Sequence, residues 1–235
     1  HIVTTATEHH AVIHTCEDLA RAGYEVTFLP VDGSGLLNAE AVALAITDRT
    51  TVVSVLYANN EIGAVQDIPA IGNFVHSRAE ELHRTVSFHT DAVQAAGWES
   101  LDVQALNVDM LSLSAHKFYG PKGVGVLFIR RGTPFDALIV GGGQERQRRS
   151  GTENVPGIVG LAVALELAEK ERLETTARCS ALRDRLIEGI LELIPDVRLN
   201  GDRERRLANN VNVSINGVEG EPMVVGLDLA GVAAS

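Results

Sequence analysis

The hydrophobic and polar residues of this chain follow two periodicities. Runs that are continuously apolar or that alternate predict strands, and apolar residues spaced three and four apart predict helices. The predicted strands are Ile2–Thr5, Glu25–Leu29, Thr51–Tyr57, Val86–His89, Val108–Ser114 and Val124–Ile129. The predicted helices are His10–Ala22, Ala39–Ile46 and a segment from Pro69 to about Arg84. This alternation predicts an α/β fold in which helices flank a mostly parallel sheet.

Helical spacing dominates after Gly151. Pro156 suits a first helical turn, and apolar residues recur through Leu193, so we expect one long helix or two consecutive helices. Short strands at Val197–Leu199 and Asn210–Ile215 and a helix near Pro222–Leu229 are predicted to follow. We therefore expect a large domain over 1–168 and part of a smaller α+β domain over 169–235, with the boundary inside the long helical run.

The composition excludes several classes of function. The chain has 235 residues, 45% of them hydrophobic, which is enough for a buried core. A net charge of −11 disfavours nucleic acid or an anionic membrane as a direct partner. No apolar run approaches the ~20 residues of a membrane span, and the N-terminal residues lack the features of a secretory signal, so we expect none. Because Cys16 and Cys179 form no C-x-x-C motif, we expect a reducing, cytoplasmic compartment.

The two ends of the chain also carry an expectation. The sequence opens on a strand-like run instead of Met, and it stops at Val232–Ser235 without a polar tail. We therefore expect it to be the interior of a longer protein, in which the N-terminal part of the large domain precedes His1.

Polar clusters follow three of the predicted strands. They are Asn59, Asn60 and Glu61 after the third strand, Asp91 and Gln94 after the fourth, and Ser114, His116 and Lys117 at the end of the fifth. In open α/β sheets, ligands bind outside the carboxyl ends of the parallel strands. Each residue alone has an ordinary explanation, since most lysines are solvated and aspartates often form turns. The coincidence at three strand ends favours a binding site.

An amine and a carboxylate at such an edge suit one ligand, pyridoxal 5'-phosphate (PLP). Lys117 would form a Schiff base with the aldehyde, for which its amine must be deprotonated. Asp91 would pair with the pyridine nitrogen and keep it protonated, so that the ring can withdraw electrons.

Other polar residues would contact the rest of the cofactor. Gln94 and Asn60 can donate hydrogen bonds to the phenolic oxygen, and Ser114 and His116 can donate to the phosphate. His9 or His10, which follow the first strand, can stack on the ring and move protons.

Six collinear segments carry a resemblance to a known family. They are Thr7–His10, Asn59–Gly63, His89–Gln94, Ser114–Gly125, Gly141–Thr152 and Leu199–Gly201. In these motifs the chain resembles the cysteine desulfurases of the class V aminotransferase family, in the group that serves iron–sulfur cluster assembly and tRNA thiolation.

The resemblance implies a fold-type-I PLP enzyme that works as a homodimer without a metal. It implies conversion of L-cysteine to L-alanine, with the sulfur passed as a persulfide to a cysteine thiolate and on to an acceptor scaffold or carrier protein. His9 would be the catalytic, ring-stacking histidine and Lys117 the catalytic lysine. Asn60, Asp91 and Gln94 would hold the ring, Ser114 and His116 would bind phosphate, and Thr152 would reach the phosphate in the neighbouring subunit.

Parts of the family pattern do not occur in this sequence. They are the glycine/threonine phosphate loop upstream of the Thr7–His10 segment, the arginine that binds the substrate carboxylate, and the persulfide-forming cysteine, which is expected just after Ser235. Two alternatives therefore stay open. One is another PLP enzyme of the same fold, such as a selenocysteine lyase or a small-amino-acid aminotransferase. The other is an inactive, truncated chain that serves as a binding module or partner subunit.

Overall fold

A six-stranded sheet forms the centre of the molecule in the computed structural model, which describes all residues from His1 to Ser235. The strands are β1 (Ile2–Thr5), β2 (Val26–Leu29), β3 (Val52–Leu56), β4 (Ser87–Asp91), β5 (Met110–Ser114) and β6 (Gly125–Ile129). Their order is β2-β1-β3-β4-β5-β6. The first five strands are parallel, and β6 is antiparallel to β5. The predicted α/β fold with a mostly parallel sheet is confirmed.

Three helices connect the parallel strands: α1 (His10–Arg21), α2 (Ala39–Ala45) and α3 (Ile68–Glu81). The Asn38 side chain accepts a hydrogen bond from the Glu40 amide and so caps α2, as predicted. Asp67 caps α3 in the same way, and Pro69 lies in its first turn. This helix ends earlier than predicted because His83 adopts a left-handed backbone, with φ of 52°.

The two faces of the central strands differ in chemistry. Val53, Val55 and Phe88 are fully buried on the face that belongs to the hydrophobic core. Side chains alternate between the faces of a strand, so Ser54 and His89, which are register partners, share the opposite face. That second face is polar along β4, at Ser87, His89 and Asp91, and at Ser54 in the middle of β3.

The second half of the chain contains α4 (Gln144–Gln147), α5 (Val155–Leu193), β7 (Val197–Leu199), β8 (Val213–Ile215) and α6 (Gly220–Leu229). Of the two alternatives for the helical run, the single long helix is correct, since α5 is continuous over 39 residues. The Asn154 side chain caps it by accepting from the Gly157 amide at 3.2 Å. The division at 168/169 falls inside this helix and stays a prediction. None of the helices combines the length and the apolar character that crossing a membrane requires.

The chain changes direction across the sheet at β1. β2 lies on one side of β1, whereas β3, β4 and β5 follow on the other. β1 pairs with β2 over four residues, but it pairs with β3 only at Ile2–Val52 and Val3–Val53. The ladder between β1 and β3 therefore stops before their carboxyl ends, and we refer to this break in the pairing as the cleft. Such a switch point is where open α/β sheets bind ligands.

Candidate active site

The sheet brings most of the predicted site residues to one edge. His9 follows β1, Asn60 follows β3, Asp91 ends β4 and Ser114 ends β5. These four strands are parallel neighbours, so their carboxyl ends lie side by side. Lys117 lies in a 3₁₀ turn, Ala115–Phe118, directly after β5. The edge thus carries an amine, a carboxylate, an imidazole, a hydroxyl and an amide.

Asp91 is the buried acid of this edge. Its side chain is only 8% exposed, and its Oδ1 accepts from the Val93 amide at 3.0 Å. It takes part in none of the ion pairs of the chain. A buried carboxylate without a cation is costly unless a ligand supplies one. The protonated ring nitrogen of PLP is a suitable partner.

His89 precedes Asp91 by two residues and lies on the same face of β4. Its Nδ1 and Nε2 share hydrogen bonds with the hydroxyls of Ser54 and Ser112, at 2.9 and 2.7 Å. Burial lowers the pKa of His89, and the charge of Asp91 opposes that shift without cancelling it. The imidazole is therefore neutral near pH 7, and it leaves the Asp91 carboxylate free for a ligand. Sequence reasoning did not assign a role to His89.

The 3₁₀ turn after β5 presents two basic side chains. His116 and Lys117 are both exposed, and Lys117 makes no ion pair within the chain. The Ser114 hydroxyl and His116 Nδ1 are 2.8 Å apart. When the hydroxyl donates to Nδ1, the hydrogen of the neutral ring resides on Nε2, which can then donate to an anion. This arrangement fits the predicted phosphate contacts.

His9 is the N-cap residue of α1. Its Nδ1 accepts from the Ala11 amide at 3.2 Å, so the neutral ring carries its hydrogen on Nε2. Uptake of a second proton at Nδ1 would break this cap, which contributes on the order of 1 kcal/mol. His10, the other histidine considered from the sequence, stacks on His14 with ring centroids 4.9 Å apart. His9 is thus the better candidate, with Nε2 as its free atom.

The two asparagines after β3 have different tasks. Asn59 Oδ1 accepts from the amides of Glu61 and Ile62, each at 2.9 Å, and its Nδ2 donates to Thr7 O at 3.1 Å. Asn59 therefore shapes the loop and ties it to the β1–α1 turn. The Asn60 side chain is exposed and has no such bonds, which leaves its amide for a ligand.

Two further predicted residues lie in loops. Gln94 is half-buried in the turn after β4, close in sequence to Asp91. Thr152 is exposed on the segment between α4 and α5, and no hydrogen bond joins it to the other site residues. The roles assigned to all these residues stay predictions.

The second half of the chain supports the Asn59–Gly63 loop. Asn210 and Asn212 each donate from Nδ2 to Glu61 O, at 2.9 and 3.1 Å. The buried Arg206 side chain in turn donates from Nη1 to Asn210 Oδ1 at 2.9 Å. The loop that carries Asn60 is therefore held by residues about 150 positions later. Sequence reasoning assigned no function to them, because nothing local marks them.

Comparison with known proteins shows the family to which the chain belongs. A family model described as aminotransferase class V matches residues 1–235. Cysteine desulfurase IscS of Clostridium botulinum is 51% identical over 237 residues, which are 100% of this chain and 58% of that protein. A solved NifS-like protein is 39% identical with a TM-score of 0.93, over 100% of this chain and 62% of its own. SspA, solved in complex with cysteine, is 36% identical with a TM-score of 0.78, over 98% and 61%.

The fold is the one shared by the fold-type-I PLP enzymes. Within that class, the chain belongs to the class V aminotransferase family, and the resemblance inferred from the motifs is confirmed. PLP is the cofactor of this family, as predicted from the strand ends. The chain spans about 58% of the length of the curated relative described above.

Proposed function

We propose that the protein is a PLP-dependent cysteine desulfurase. The observation that supports the proposal is that Lys117, after β5, and the buried Asp91, at the end of β4, follow neighbouring parallel strands in a chain that is 51% identical to a cysteine desulfurase. The proposed reaction takes L-cysteine and an acceptor thiol to L-alanine and a persulfide. The sulfur leaves the cysteine side chain, bonds to the acceptor sulfur, and a proton replaces it on the substrate carbon.

Each residue at this edge would have a separate role in the reaction. When bound, PLP supplies an electron-withdrawing ring that stabilises negative charge next to the substrate amine. The Asp91 carboxylate holds a proton at the ring nitrogen, and the neutral His89 beneath it does not compete for that proton. Lys117 Nζ holds the cofactor covalently and then accepts or returns protons at the substrate. Ser114 and His116 Nε2 anchor the phosphate.

His9 and Asn60 would line the opposite side of the cleft. His9 can stack on the ring and donate a hydrogen bond from Nε2, since Nδ1 is held by the Ala11 amide. Transfer of a whole proton by His9 requires release of that cap. Asn60 offers an amide that the loop itself does not use.

The acceptor is proposed to be a thiolate other than the two cysteines of this chain. Cys16 is buried in α1, and Cys179 lies on α5. Both are free thiols, which supports the proposal of a reducing cytoplasm. A scaffold or carrier protein for iron–sulfur cluster or thiolated tRNA synthesis would receive the sulfur.

We propose that the protein is a homodimer in which Thr152 contacts the phosphate of the other subunit. The support is the segment Gly141–Thr152, which is mostly exposed, although Ser150 is buried, and which follows apolar side chains that are largely in solvent, Leu138 at 94% and Val140 at 79% exposure. Sedimentation of the PLP-loaded protein tests this proposal. A monomer at micromolar concentration would contradict it.

Product analysis tests the proposed function. The PLP-loaded protein, given L-cysteine and a reducing thiol, is expected to release L-alanine and sulfide in equal amounts. Lys117→Ala should abolish both products, whereas Lys122→Ala, which alters an exposed lysine of the next turn, should leave them unchanged. Turnover of L-selenocysteine alone, or amino transfer to a 2-oxo acid without sulfide, would replace the proposal by another PLP activity. Bound PLP without any turnover would favour a binding module.

A further inference from the structure

The cleft between β1 and β3 leaves a backbone donor without a strand partner. In a parallel strand, successive amides point alternately to the two neighbouring strands. The Tyr57 amide donates to Asp91 O of β4 at 2.9 Å, so the preceding amide, that of Leu56, points towards β1. β1 has already ended at Thr5. Because Leu56 is only 5% exposed, an unpaired amide there would be costly.

The Glu8 side chain takes the place of the missing strand. Its Oε1 accepts from the Leu56 amide at 2.6 Å and from the Thr5 hydroxyl at 3.0 Å. Glu8 is 5% exposed, and its Oε2 is buried without a hydrogen-bond partner. No lysine, arginine or histidine forms an ion pair with it. The residue lies in the turn between β1 and α1, directly before His9.

We propose that Glu8 is a positioning residue that acts as a neutral acid: its carboxyl replaces a strand at the switch point and holds the turn of His9 without adding a second negative charge beside Asp91. Two contacts make the turn a fixed structure, since Asn59 also donates to Thr7 O. The link to catalysis rests on the proposed function, because Glu8 can affect a reaction only if the cofactor binds beside this cleft. The structural part, the pairing of Glu8 with Leu56, does not depend on it.

The surroundings of Glu8 favour the neutral form. Burial raises its pKa to about 8, the Leu56 amide and Thr5 hydroxyl act in the opposite direction, and the charge of Asp91 raises it further. Among the elements packed here, β4 contributes Asp91 and α1 contributes Cys16, whose thiol pKa is raised by burial and then by the charge of Glu8. His9 is the adjacent residue of the same turn. Neither neighbour on β4 or α1 offers a positive charge, so ionisation above pH 8 would place two carboxylates at the cleft.

Matched variants separate the neutral acid from an ionised one. Glu8→Gln keeps the size and the accepting oxygen but has no charge at any pH. Glu8→Leu keeps the approximate volume and removes the acceptor. Glu40→Gln, at an exposed position of α2, is the control that makes the same chemical change away from the cleft.

Release of PLP from the loaded protein and amide hydrogen exchange in the cofactor-free protein are the two measurements. When the pH rises from 7 to 9, we expect PLP release from the wild type and from Glu40→Gln to accelerate about tenfold more than PLP release from Glu8→Gln. The factor of about ten is what ionisation of Glu8 one pH unit above its pKa permits. At pH 7, Glu8→Gln should match the wild type in release and in the protection of the Leu56 amide. Glu8→Leu should release PLP and exchange this amide about tenfold faster or more, as expected for an unpaired buried donor.

Two results would overturn the proposal. One is a Glu8→Gln variant as impaired as Glu8→Leu at pH 7, which would show that the charge is needed. The other is an identical pH dependence of release in the wild type and Glu8→Gln. If the protein takes up no PLP at all, the proposed function fails, and exchange of the Leu56 amide still decides the role of Glu8.

Discussion

Asp91 is a buried carboxyl at this edge without a charged partner, and burial favours the neutral forms of two titratable side chains near it, His89 and Glu8. Burial lowers the pKa of His89 and raises the pKa of Glu8, across the cleft, to about 8, so that both shifts favour the neutral form near pH 7. A charge interacts more strongly in such a poorly solvated place than in water. Of these three buried groups, Asp91 is therefore the one whose charge would act on the ring nitrogen of a bound cofactor.

Asp91→Asn tests the role of this carboxylate. The substitution nearly preserves shape and removes the carboxylate, so PLP affinity should fall by about 1.5–3 kcal/mol, the range for a hydrogen bond to a charged group. The turnover number should fall further, by about 100-fold or more, because the charge acts on the transition state. Equilibrium binding and steady-state kinetics measure the two effects. Asp48→Asn, at an exposed position, is the control, and wild-type turnover in Asp91→Asn would place the ring elsewhere.

Single residues were predictable from sequence only where a local pattern marks them. Asp91 and Lys117 follow strand-like runs, so their place at the sheet edge could be inferred. Glu8 and His89 lie in two of the six family motifs, but their roles depend on groups from other strands. These groups are the Leu56 amide for Glu8 and the hydroxyls of Ser54 and Ser112 for His89. A linear sequence does not show which amide is left unpaired when two strands diverge.

At the level of elements, the loop after β3 is held by the second half of the chain. Gly201 makes this contact possible. Its backbone has φ of 81°, and a Cβ there would lie 2.6 Å from Ile62 O. The Leu199–Gly201 motif therefore has a physical reason, since only glycine permits both the conformation and the close approach.

Gly201→Ala is expected to destabilise the protein and to disturb the Asn59–Gly63 loop. Gly217→Ala is a matched control, because Gly217 has φ of 74° and no atom lies within 4 Å of the position that a Cβ would take there. Both variants incur backbone strain, but only Gly201→Ala adds a steric clash. We expect its free energy of unfolding to be lower by a further amount of about 1–3 kcal/mol, the range for overpacking. Equal losses of the two variants in denaturant unfolding would contradict the close approach of Gly201 to Ile62.

The element boundaries show what periodicity can and cannot supply. Strand and helix positions were predicted to within a few residues, because caps such as Asn38 and the 2.0 and 3.6 periods are local signals. The 3₁₀ turn Ala115–Phe118 was missed because a single short turn has no periodicity. The segment α4 was missed because Glu145 and Arg146 have positive φ, so that it is a left-handed turn and not a regular helix. β8 begins at Val213, later than predicted, and the preceding Asn210 and Asn212 use their amides to hold the loop at Glu61.

For the molecule as a whole, the order of the strands places motifs that are separate in sequence next to one another. The motifs after β1, β3, β4 and β5 are distant in sequence, and the parallel order β1-β3-β4-β5 places them side by side. Alternating strands and helices predict a parallel sheet but not this order. The position of the switch point at β1, and with it the cleft beside Glu8, required the structure.

The central claim is that this edge holds PLP through Lys117, and one measurement tests it directly. Borohydride reduction of the PLP-loaded protein fixes the cofactor to its lysine, and peptide mapping then identifies that residue. The chain has only three lysines, Lys117, Lys122 and Lys170, so the result is unambiguous. We predict the label on Lys117 and its loss in Lys117→Ala. A label on Lys122 or Lys170, or undiminished labelling of the Lys117→Ala variant, would contradict the account.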